Sequence, residues 1–244
     1  MRDVIPIWAG IFLLAMVSTI AFASQDNGQP IEGHIEKYYY EAMPLTRDAG
    51  KRKEVITAEY LFNNQGVKYK SRIVSSTSIE MVTINMGNNG EFFDGMRIFV
   101  TGKNSAEQRI SVEGSAGKVE QIIEGRIEAS GFSIPGDKKL AVDGSLLMLL
   151  RFFPFNTKTE WTVFIVDFSG ESITLTIRQA GTERITVKAG EFECFRMEVI
   201  VHIPILRPRL TYWITADEPH FLVKNIGKRG PFTPNYVTML TGRE

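Results

Sequence analysis

The stretch RLTYWITADEPHFLVKN, residues 209–225, gathers a Trp, two acids, a His and a Lys within a few positions. Two acids beside an imidazole could perform acid–base chemistry. The pattern around them supports a plainer reading. Tyr212 and Ile214 alternate with Thr211, Trp213 and Thr215, and Phe221 and Val223 resume the alternation after Ala216-Asp217-Glu218-Pro219. Pro219 pushes Glu218 towards extended geometry, and Asp and Pro belong in turns for backbone reasons. The acids and His220 are therefore expected in a hairpin loop between two strands.

Cys194 and His202 form a second pair, the types needed for a thiol–imidazole nucleophile. Both fall in FECFRMEVIVHI, which alternates as one strand, so about 26 Å separates them at about 3.3 Å per residue. A dyad needs hydrogen-bond contact. Cys194 is the only cysteine, so no intramolecular disulfide is possible, and it is expected to be a small buried hydrophobe. The three His residues lack metal-ligand spacing, and no Cys cluster supports them. Ser172 in GESIT lacks the second Gly of a nucleophile elbow. GSAGKV, residues 114–119, lacks P-loop spacing and has no Ser or Thr after Lys118. No Gly-rich dinucleotide fingerprint follows a strand. The expectation is no catalytic residues, no metal and no cofactor. Paired carboxylates leave no signature in a single sequence, so a hydrolase stands as a third reading of function.

The elements that would position these residues are mostly strands. Turn signals at Asn63-Asn64-Gln65-Gly66, Asn88-Asn89-Gly90, Gly114-Ser115-Ala116-Gly117 and Ser169-Gly170-Glu171 separate runs rich in Ile, Val, Thr, Tyr and Phe. Ile173, Leu175 and Ile177 alternate with Thr174, Thr176 and Arg178. Ile185 and Val187 oppose Arg184, Thr186 and Lys188, and Phe195, Met197, Val199, Val201 and Ile203 share one face. About a dozen such segments predict an all-β fold: an antiparallel curved sheet, a partly closed β-barrel or a sandwich. One stretch departs. VDGSLLMLLRFFPF, residues 142–155, predicts a short buried helix near 143–152, with Asp143 as N-cap and Pro154 as the stop. A helix apolar all round must be covered, so it is expected to fill the core or to pack across one mouth of the sheet.

Composition bounds the rest. The chain has 244 residues, 43% hydrophobic and 23% charged, enough for a core without metals or disulfides. Lys+Arg and Asp+Glu are 28 each, so no basic field points to nucleic acid. Residues 4–23, VIPIWAGIFLLAMVSTIAFA, carry no charge and end in Ala21-Phe22-Ala23. That reads as a signal peptide, residues 1–23, cleaved before Ser24, with an uncleaved anchor as the alternative. The cleaved chain, 24–244, is expected to be a single all-β periplasmic domain with no stable membrane span.

ITVKAGEFECFRMEV followed by RLTYWITADEPHFLVKN resembles the C-terminal half of an uncharacterised exported bacterial family, domain of unknown function 3108. The likeness rests on Val187, Ala189, Gly190, Phe192, Tyr212, Trp213, Asp217 and Pro219, with LLRFFPF before Trp161. It covers about residues 140–226; residues 31–135 rest on strand pattern alone. The resemblance implies an all-β envelope protein and no catalytic residues. A looser likeness to periplasmic lipoprotein carriers, with a curved sheet around a helix, implies an apolar cavity. Function is thus expected to be binding of a hydrophobic or lipid-like ligand, with Leu149, Phe152, Phe153, Phe155, Trp161 and Trp213 lining the site. The alternative is an envelope scaffold or protein-interaction module, which would show an exposed apolar patch or a free strand edge.

Overall fold

The computed structural model describes residues 33–46, 53–102, 104–136, 138–142, 144–155, 157, 159–203, 207–228 and 233–244. The apolar segment 1–23 and Asp143 lie outside the described residues. The first four strands form a meander: β1 (Ile35–Pro44), β2 (Glu54–Asn63), β3 (Gly66–Val74) and β4 (Ser78–Met86). Four more continue it: β5 (Phe92–Thr101), β6 (Asn104–Glu113), β7 (Ala116–Ile123) and β8 (Arg126–Ser133). Then come β9 (Lys139–Val142), the helix α1 (Leu146–Arg151) and β10 (Glu160–Val166). The chain ends with β11 (Ser172–Val187), β12 (Gly190–His202), β13 (Arg209–Thr215), β14 (Leu222–Lys228) and β15 (Asn235–Arg243).

All fifteen strands belong to one sheet, in the order β8-β7-β6-β5-β4-β3-β2-β1-β15-β14-β13-β12-β11-β10-β9. The sheet is curved and unclosed, with β8 and β9 as its two edges. The all-β expectation holds, and the predicted turns fall between β2 and β3, β4 and β5, β6 and β7, and β10 and β11. Every pairing is antiparallel but one: β9 and β10 run parallel. The reason is α1, which lies between them and returns the chain to the same end, as a parallel pair requires.

Alternation decides the inner face. Glu36, Tyr38, Tyr40 and Ala42 are buried on β1, Ile56, Ala58, Tyr60 and Phe62 on β2, and Tyr69, Ser71 and Ile73 on β3. Glu80, Val82, Ile84 and Met86 continue that face on β4. On the far side Leu175 and Ile177, Met197, Val199 and Val201, and Leu210, Tyr212 and Ile214 complete it. Residues of α1 from Leu146 to Arg151 are all buried against this surface. The helix is shorter than the 143–152 expected and its N-cap is Ser145. The Ser145 hydroxyl does not cap it; Val142 N–H donates to Ser145 Oγ at 2.7 Å, tying the helix start to the end of β9.

The β5–β8 wing is different. Only Phe92, Gly95, Ile110 and Val119 are buried across its four strands. Its polar ties to the far side include Gln108 and Gln121, whose side-chain amides each donate to the carbonyl of Phe168 at 3.4 Å.

Candidate functional site

The helix crosses the inner face of the sheet. A Cβ on Gly144, just before α1, would lie 3.3 Å from Val82 on β4, while Arg151 at the helix end reaches Glu36 on β1. Phe152 lies against Gly90 in the β4–β5 turn, 3.0 Å from where a Cβ would stand. Phe153 then meets Trp161 at 5.3 Å and Phe155 at 5.2 Å between ring centroids. Phe155 stacks on Phe195 at 4.5 Å and meets the His220 ring, tilted by 56°, at 4.5 Å.

The sequence placed six residues at the site, and the structure brings three of them into one ring cluster: Phe153, Phe155 and Trp161. Leu149 is fully buried within the same core. Phe152 turns to Gly90. Trp213 alternates away from Tyr212 and Ile214; it pairs with Arg196 and Lys224, and the Lys224 ammonium sits 4.9 Å from its ring centroid.

The chemistry-bearing pairs read from sequence do not assemble. Cys194 pairs with Thr215, whereas His202 pairs with Thr174 and bonds Thr176 Oγ1 at 2.8 Å. Burial pushes the Cys194 thiol up to about 12, with Glu183 and Glu193 adding to the rise, so it is not a thiolate. Asp217 and Glu218 are exposed in the β13–β14 loop, where a cis peptide precedes Pro219. The loop is held by Thr215, whose hydroxyl donates to Pro219 O at 2.7 Å and accepts from Phe221 N–H at 2.8 Å. Burial lowers the His220 imidazole below its ordinary range, partly offset by its 3.0 Å bond to Thr215 O. Among the described residues no group of three or more His, Cys, Asp or Glu could hold a metal ion. No helix there is long and apolar enough to cross a membrane.

What sequence reading missed is a charge inside the curved sheet. Arg151 ends α1 with its side chain 5% exposed, and among the described residues its Nη1 and Nη2 have no hydrogen-bond partner. The nearest acid is Glu36, whose Oε2 stands 3.9 Å from Nη1, too long for a hydrogen bond. Glu36 is otherwise engaged: Tyr38 donates to Oε2 at 2.9 Å, and His34 Nε2 lies 3.2 Å from Oε1. Tyr60 packs edge-on to Tyr38 at 6.1 Å, and Tyr40 donates to Leu222 O at 3.2 Å. Burial pushes the Arg151 guanidinium down to about 9, which still leaves it protonated at neutral pH. Burial also raises the Glu36 carboxyl, with Arg151 opposing that rise. Asn225, fully buried on the inner face and paired in register with Tyr212 and Thr238, likewise has no partner among the described residues for either side-chain polar atom. The signal was present in the sequence: one cation in LLMLLRFFPF, a run that burial was bound to claim.

Curvature, an inner face crossed by a helix and an unclosed seam define a β-barrel-like protein. In particular, the chain is similar to the β-barrel-like protein of domain of unknown function DUF1849 from Brucella abortus. That similarity has a TM-score of 0.59 at 10% identity and covers 88% of this chain and 99% of that one. It is a likeness of fold. Two further matches are a lipoprotein candidate from Parabacteroides distasonis and an exported-protein candidate of YmcC-like fold from Bacteroides fragilis. Their TM-scores are 0.35 and 0.26 at 10% and 11% identity; each covers 88% of this chain and 97% of the other. At those scores neither bears on the fold. No model of a known protein family and no curated protein matches the chain.

Proposed function

We propose that this chain is a non-enzymatic, exported envelope protein that binds a hydrophobic or lipid-like ligand on the inner face of its curved sheet. One observation carries the reading: the described residues do not fully cover the inner face. Register places Glu80, Phe99, Ala106, Ile123 and Arg126 in one cross-strand row, on the same face as the buried Val82 and Ile84. Glu80 is buried at one end of that row, yet Phe99 and Ile123 are 37% and 47% exposed. Apolar side chains on a concave surface, open to water and flanked by Arg97 and Arg126, suit an amphiphile. The uncharged segment ending in Ala21-Phe22-Ala23 supports export to the periplasm. The resemblance of residues 140–226 to domain of unknown function 3108 fits the same reading.

A second reading has its own observation. Edge strand β8 is exposed along nearly its whole length, and its Ile127 is 67% exposed on the opposite face. An envelope protein that pairs with this edge would use it by strand addition. Native mass spectrometry on protein recovered from a periplasm without detergent, followed by organic extraction, separates the two. A reproducible lipid-sized adduct is expected. A bare protein mass that takes up no added fatty acid or phospholipid overturns the ligand reading and leaves the edge.

A further inference from the structure

We propose that Arg151 is the anchor for a ligand carboxylate held inside the curved sheet. The proposal rests on the ligand-binding reading and names the chemistry of the ligand's polar end. A guanidinium presents its terminal nitrogens as a planar fork that matches a carboxylate. In Arg151 that fork is buried and unanswered: neither Nη1 nor Nη2 has an acceptor, and Glu36 Oε2 stops at 3.9 Å. Native interiors rarely leave such donors orphaned, so an unanswered buried fork points to ordered water or a bound group at that position. Glu36 does not close the gap: its Oε2, which accepts from Tyr38, stands 3.9 Å from Nη1, beyond hydrogen-bond reach.

Charge selects the class of occupant. Glu36 supplies one negative charge beside the guanidinium, so a second anion must be weakly charged to be tolerated. A carboxylate adds a single charge, whereas a phosphate monoester adds about two. The surroundings fit an organic acid rather than a free ion in water: Tyr38 and Tyr60 flank the charge, and Phe153 begins the ring cluster two residues along the chain. Side-chain exposure falls from 47% at His34 to 7% at Glu36 and 5% at Arg151, so the polar ladder runs inward from the surface at the start of β1.

The test is a calorimetric titration of the detergent-free, delipidated full chain with three probes: decanoate, methyl decanoate and acetate. Decanoate is expected to bind at least about ten-fold more tightly than its ester, the difference a charge-assisted fork supplies. Arg151→Gln should abolish that preference. Glu36→Gln should tighten decanoate by about ten-fold and leave the ester alone, because it removes the competing negative charge; a merely structural pair would not gain. If Arg151→Gln does not fold, the double variant Glu36→Gln/Arg151→Gln, which leaves no buried charge unpaired, takes its place. Equal affinity for acid and ester, or an acid preference that survives Arg151→Gln, overturns the anchor and spares the ligand reading. Acetate bound as tightly as decanoate supports a carboxylate site but sinks the lipid carrier. Binding of none of the three overturns both.

Discussion

Strands β1–β4 and β5–β8 are cut from the same pattern, yet they end differently. Both are antiparallel meanders with period-two alternation and short turns. On β1–β4 the inner side chains are almost all buried, because α1 and the β10–β15 side of the sheet cover them. On β5–β8 the same face carries Phe99, Ile123, Arg126 and Glu128, and it is covered only in part, around Phe92, Ile110, Val119 and the Phe168 turn. Alternation therefore makes a strand two-faced, but a second layer decides whether the apolar face becomes core. Six helical residues provide that layer for one half and not for the other.

The largest expected effect tests that difference directly. Leu149 is fully buried in α1, so Leu149→Ala should lower the unfolding free energy by about 2–5 kcal/mol, through lost transfer energy and the cavity left behind. Phe99→Ala removes a larger ring from the open row and should cost less than about 1 kcal/mol. Urea titrations of the two variants measure both. Equal losses would show that the wing is packed as tightly as the helix-covered half, and the contrast would collapse.

A smaller effect concerns pH and sharpens the boundary of the packed region. His220 is wedged against Phe155 and Phe195, with Thr215 O on Nδ1, Asp217 and Glu218 in its own loop and Arg151 across from it. Burial depresses its folded-state pKa. The unfolded chain then binds the proton more readily, so the stability His220 contributes is present above its unfolded pKa of about 6.5 and lost as pH falls through it. Between about pH 7.5 and about pH 5 the wild type should lose more stability than His220→Phe. Parallel pH dependences of the two proteins would count against a neutral, buried imidazole.

Much of the fold was legible because β structure writes itself locally. The alternation through Ile173, Leu175 and Ile177, and the Asn-Gly turns, specify strand after strand without long-range information. The hairpin reading of residues 209–225 survives, with Asp217 and Glu218 in its loop. The parallel β9–β10 pair was not legible, since β9 has four residues and its partner lies beyond the helix. The candidate site was half legible. Phe153, Phe155 and Trp161 could be named because they are near in sequence, and the interior was expected to be apolar. Trp213 turned to the opposite face, as the alternation of Tyr212 and Ile214 demanded. Arg151 was visible as a cation in an apolar run, but the residues around it come from β1 and β2, over ninety residues away, and no local pattern announces them.

The smallest effect on stability is expected at the wing's edge, and it probes what the uncovered half is for. Ile127 lies on β8, pairs with Ile122 on the convex face, and among the described residues has no further strand beside it. Because it is 67% exposed, Ile127→Lys should change the unfolding free energy by no more than about 0.5 kcal/mol. The same change puts a charge on an edge whose backbone groups are free to pair, the standard means of keeping such edges apart. Light scattering at rising concentration should therefore fall relative to wild type, although the fold is equally stable. A drop in stability approaching that of Leu149→Ala would mean that β8 is packed after all. Unchanged scattering at unchanged stability would mean that the edge does not drive self-association, and the inner face would then be the more informative of the wing's two surfaces.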